Sequence, residues 1–115
     1  MLKTYHLVQG DAFSLKAPLL VDGIATAIEG WQCWFTVKRS PSDADESAMA
    51  QKTLGDGISA YDAVTWLIEL DPADTQSGAL GRYQYDIQAK SPDGKIFTLE
   101  KGYLFLDSQI TRASS

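Results

Sequence analysis

The chain contains a single cysteine, Cys33, and a single histidine, His6. One cysteine excludes any intrachain disulfide, so this is not a cystine-stapled secreted module. His6 and Cys33 lie far apart in sequence, and neither has a partner that would complete a nucleophile–base pair or a zinc site. An enzyme is therefore not expected, and no cofactor is implied. Basic residues are also few, with 10 Lys and Arg against 15 Asp and Glu, a net charge of -5. The densest basic run is only Lys38-Arg39. A surface that grips phosphate backbones needs clustered cations, so nucleic acid is not an expected partner. No stretch reaches the ~18 apolar residues of a membrane helix. Met1 to His6 has one lysine but no apolar run behind it, which predicts no signal peptide and synthesis in the cytoplasm.

The most informative segment that is present runs from Gly81 to Lys90. Tyr83, Tyr85, Ile87 and Ala89 alternate with Arg82, Gln84, Asp86, Gln88 and Lys90. A period of two separates apolar from wetted faces only in an extended chain. Asp93-Gly94 supplies the positive φ of a tight return, so the segment reads as one arm of an antiparallel hairpin. Trp31, Cys33, Phe35 and Val37 alternate in the same way, as do Val64, Trp66, Ile68 and Leu70. These patterns put Trp31, Phe35, Trp66, Tyr83 and Tyr85 in the core, with Cys33 beside them as a small apolar residue.

Turn signals recur every ten to fifteen residues, which marks a sandwich or a barrel. Strands are predicted over 4–9, 12–20, 31–39, 64–70, 82–90 and 96–106, with weaker ones at 48–53 and 57–61. Asp71-Pro72-Ala73-Asp74-Thr75 predicts a short helical turn, since proline fits a first turn. In the last strand Phe97 and Leu99 share a face, whereas Tyr103 and Phe105 fall in with the polar Lys101. A bulge at Gly102 is expected to reset the phase. The chain reads as one all-β domain over 1–115, with 1–3 and 108–115 as loose termini.

Candidate sites are few. Asp43, Asp45 and Glu46, joined by Asp56 across a hairpin, offer oxygen ligands for calcium. They do not match the Asp-x-[Asp/Asn]-x-[Asp/Asn]-Gly loop, and a solvated acidic loop is the favoured reading. Asp86 and Glu69 fall on wetted faces, where carboxylates are simply solvated. Trp34 lies opposite Cys33 in its strand, and Leu67 is off-phase beside Trp66. An exposed tryptophan signals a contact surface. Trp34 and Leu67, with the off-phase pair Leu104 and Leu106, are the expected interface residues.

Several short pieces then resemble a known family. They are Gly10-Asp11-Ala12-Phe13-Ser14-Leu15, Ile28-Glu29-Gly30-Trp31 running into Phe35-Thr36-Val37-Lys38, Leu70-Asp71-Pro72-Ala73-Asp74-Thr75, and Gly81 to Ile87. Asp93-Gly94, Leu99 and Gly102 complete the set. In order and spacing they resemble the immunoglobulin-like tail and baseplate domains of tailed bacteriophages, notably the N-terminal domain of baseplate upper proteins. The resemblance implies an immunoglobulin-like antiparallel β-sandwich of about seven or eight strands. Tyr85 stands where a true immunoglobulin domain has its second cysteine. The implied function is that of a non-enzymatic phage or prophage virion component, a tail or baseplate connector. It would act as a homo-oligomer or on neighbouring tail proteins, in the virion. The alternative is a small carbohydrate-binding or adhesin-like module using Trp34.

Overall fold

The computed structural model describes residues 3–39, 49–76 and 80–108. Its strands are β1 (Lys3–Val8), β2 (Phe13–Pro18), β3 (Leu20–Val21), β4 (Ile24–Ala25), β5 (Gln32–Lys38), β6 (Ala50–Leu54), β7 (Gly57–Asp62), β8 (Thr65–Leu70), β9 (Gly81–Lys90) and β10 (Ile96–Asp107), with a short helix α1 (Pro72–Gln76). The all-β expectation holds, and each predicted strand is present within a few residues. The predicted 12–20 strand divides at Leu19 into β2 and β3, and β4 was not anticipated.

Eight strands form one continuous sheet in the order β1-β10-β9-β5-β6-β7-β8-β2, while β3 and β4 make a separate two-stranded hairpin. The large sheet curls until it nearly closes into a barrel. Its two edges are the consecutive strands β1 and β2, joined by the turn at 9–12. Across that seam the Tyr5 and Phe13 rings meet edge-on with centroids 5.5 Å apart. Aromatic contact therefore spans the two edge strands.

The alternation read from sequence sets the inside of the barrel. Leu15, Ala17, Cys33, Phe35, Val37, Ile58, Trp66, Ile68, Tyr83, Tyr85, Ile87 and Ala89 are buried together. Cross-strand register explains their meeting, since Cys33 pairs with Ala89, Phe35 with Ile87 and Val37 with Tyr85. On the opposite wall Ile68 lies between Leu15 and Ile58. Trp31 departs from expectation. It precedes β5, is half-buried, and packs against Phe97 with ring centroids 5.6 Å apart.

The phase change in β10 occurs earlier than expected. The register with β9 slips between Thr98 and Glu100, so the bulge is at Leu99 and not at Gly102. Beyond it Glu100, Gly102, Leu104 and Leu106 turn inward, and Tyr103 and Phe105 turn outward. Leu104 and Leu106 are 0% and 1% exposed, so they are interior residues and not the contact residues expected of them. Gly102 has a different role. A Cβ there would overlap the Lys3 carbonyl, so glycine is what lets β1 lie against β10.

Between β6 and β7 the chain jogs sideways. Thr53 and Leu54 pair in parallel with Gly57 and Ile58, through a turn at Gly55-Asp56. Gly57, at φ 94°, leaves room for the stem of Lys52, whose Nζ lies 3.0 Å from Asp74 Oδ1 on α1. The other oxygen of Asp74 accepts the Asp71 amide at 2.6 Å, tying the helix start. Thr75, fully buried, accepts the Gly10 amide at 3.0 Å. These bonds anchor α1 at the end of the barrel where β1 runs into β2.

Candidate functional site

Two surface regions stand out, and β-sheet register builds the first. Residues paired across a sheet point to the same side. Outside the barrel over β10, β9, β5 and β6, one row reads Thr98, Gln88, Trp34, Thr53. The next reads Lys101, Asp86, Thr36, Gln51. The third reads Tyr103, Gln84, Lys38 and continues to Thr4 on β1. The grid encloses an open depression of about 520 Å³. No aliphatic residue stands in these three rows. Ile96, 54% exposed, is at the rim.

Several members of the grid are held in place. Gln51 donates to Thr36 Oγ1 at 3.3 Å, and Gln88 to Thr98 Oγ1 at 3.5 Å. The Arg82 guanidinium lies over the Tyr103 ring at 4.8 Å. Below this lattice His6 stacks on Phe105, with centroids 5.1 Å apart. His6 is thus an exposed surface histidine.

The second region is the opposite end from α1. Ala27, Ile28, Trp31, Leu54, Ala60 and Trp66 line an apolar opening of about 580 Å³. It exists because β6 stops at Leu54, leaving β5 and β7 without a strand between them toward that end. The segment after β4 runs there, with the Ile28 amide bonded to the Ala63 carbonyl at 3.0 Å. Among the described residues, large exposed apolar side chains favour this end. Leu20, Ile24, Leu54 and Tyr61 stand on the strands that reach it, against Val8, Leu80 and the grid-rim Ile96 elsewhere.

One polar cluster faces inward. Glu100, brought inside by the bulge, accepts the Tyr85 hydroxyl at 2.7 Å and the Tyr5 hydroxyl at 3.3 Å on Oε2. Lys3 Nζ is 3.1 Å from Oε1. Burial first, then the Glu100 carboxylate, pushes the Tyr85 hydroxyl far above the usual tyrosine range. Tyr5 moves the same way for the same two reasons. Every member therefore has a structural partner, and the cluster fastens β1 to β10.

The other candidates separate. Trp34 and Leu67 are both half-buried on the outer wall, but β6 and β7 lie between their strands, so they do not form one patch. Cys33 is 1% exposed, and burial raises its thiol to about 12. Asp43, Asp45 and Glu46 lie outside the described residues. Among the described residues no group of three His, Cys, Asp or Glu converges as a metal site. Sequence reasoning singled out Trp34 but missed Gln51, Gln84, Gln88 and Tyr103 around it. The three glutamines sit at wetted positions of predicted strands, whereas Tyr103 was expected on the apolar face and turns outward because the bulge falls at Leu99. No family model and no curated protein matches this sequence.

Proposed function

We propose that the chain is a non-enzymatic virion component of a tailed phage or prophage, a tail or baseplate connector that works by assembling with copies of itself and with neighbouring tail proteins. The two flanks of the curled sheet, β1-β10-β9-β5 and β6-β7-β8-β2, would be the counterparts of the two layers of an immunoglobulin-like domain. The observation that carries the assembly reading is the apolar end. Leu20, Ile24, Leu54 and Tyr61 are each more than two-fifths exposed on the strands and hairpin of that end, and Leu54 lines an opening floored by Trp66. Clustered exposed apolar surface of this kind marks a protein contact. A net charge of -5 opposes non-specific association of the free chain, and docking withdraws that apolar surface from water.

Sedimentation velocity over a wide concentration range tests this, using the wild type and the Ile24→Asp/Leu54→Asp double variant. The wild type is expected to form a discrete oligomer that the double variant cannot form, with circular dichroism showing both folded. A wild type that stays monomeric at every concentration refutes self-assembly through this end.

A further inference from the structure

We propose that the outer face of β5, β9 and β10 is an oligosaccharide-binding site, independent of the apolar end and of any assembly made there. Trp34 and Tyr103 stand at diagonal corners of the grid, two strands and two rows apart. Strand spacing and rise place them roughly 17 Å from one another. Between them lie side-chain amides, hydroxyls and a carboxylate, including Gln84, Asp86, Gln88 and Thr36. A sugar ring offers hydroxyls around its edge and a C–H face above. The matching surface has an aromatic plane for the face, amides that both donate and accept for the edges, and carboxylates that accept. Here Trp34 supplies the plane, while Tyr103, whose ring lies under the Arg82 guanidinium, supplies a hydroxyl at the far corner, and the span suits several linked rings better than one.

Other occupants fit less well. A protein hot spot needs an apolar centre ringed by polar groups, and here the centre is polar with the aromatics at its corners. A nucleic acid strand needs a cationic groove. The two lysines of the three rows, Lys38 and Lys101, flank Asp86, and Lys101 is its direct cross-strand neighbour. The site also needs no lid or rearrangement, because its side chains stand on paired strands. Gln51 and Gln88 are already oriented by Thr36 and Thr98. That preorganisation lowers the ordering cost that weakens most polar recognition.

The test is a printed array of neutral and acidic oligosaccharides, followed by titration of the strongest hit against tryptophan fluorescence. Saturable binding is expected, and Trp34→Ala should weaken it about tenfold or more. Gln88→Ala and Tyr103→Phe, at two other points of the grid, should each weaken it while leaving the fold intact by circular dichroism. These two variants keep the test decisive if Trp34→Ala lowers stability. The proposal is overturned if no glycan binds, if binding survives all three substitutions, or if a single-stranded oligonucleotide titrated in parallel binds and glycans do not. Ile24→Asp/Leu54→Asp should bind the same glycan as the wild type, which separates this site from the assembly end.

Discussion

Replacing Gly102 with alanine should detach β1 from the barrel. The added methyl would occupy the space of the Lys3 backbone, which cannot rotate away as a side chain could. Either β1 shifts outward or β10 bends, and β1 is the freer of the two because, among the described strands, only β10 pairs with it in the sheet. Undocking would expose Leu7, now 4% accessible, together with the half-buried Tyr5. Re-exposing a leucine costs about 1.5–3 kcal/mol, half a tyrosine about 1, and the lost Tyr5–Glu100 bond about 1, so a loss of about 3.5–5 kcal/mol is expected. Urea denaturation followed by circular dichroism measures it. Hydrogen exchange should show protection lost in β1 and in the facing edge of β10 while β8 keeps its own. Alanine at 102 costing under about 0.5 kcal/mol, with β1 still protected, would refute the close-approach account.

Tyr85→Phe should cost about 1–2 kcal/mol at neutral pH, because it leaves the half-sheltered Glu100 short of its best donor. Tyr85 and Tyr5 both titrate higher in the folded chain than the ordinary 10.0, so their contribution is intact below that pH and is lost as pH rises above it. The wild type should therefore lose stability in alkali, and Tyr85→Phe should flatten part of that slope, the remainder belonging to Tyr5. Paired urea melts at pH 8 and pH 11 read the difference, and an unchanged slope contradicts it. Cys33 should resist a thiol reagent at pH 8 in the native protein and react promptly in denaturant, since burial holds its thiol up at about 12. Rapid labelling of the native chain would contradict its interior placement.

Most strand positions were legible because period-two alternation is local: Tyr83, Tyr85 and Ile87 share a face whatever the strand pairs with. The short helix after Asp71 was legible for a similar reason, proline in a first turn. The bulge was not. Both Leu99 and Gly102 tolerate a change of phase locally, and the choice depends on β1. Its backbone needs the bare Cα of Gly102 in register, and Tyr5 and Tyr85 give an inward Glu100 its donors. That one displacement moved Leu104 and Leu106 from the expected surface to the interior. The site was half legible: Trp34 declared itself by its phase, and its amide neighbours became neighbours only through pairing.

By itself, then, the sequence determined that this is an all-β domain of short amphipathic strands, and which side chains each strand turns from water, because those properties reside in neighbours along the chain. Tertiary structure decided that eight strands form one curled sheet, since alternation is the same for a sandwich and a barrel. It also decided that Trp34, Gln88, Asp86 and Tyr103 share a face. Contacts between residues far apart along the chain set both outcomes, and no local pattern encodes which strand lies beside which.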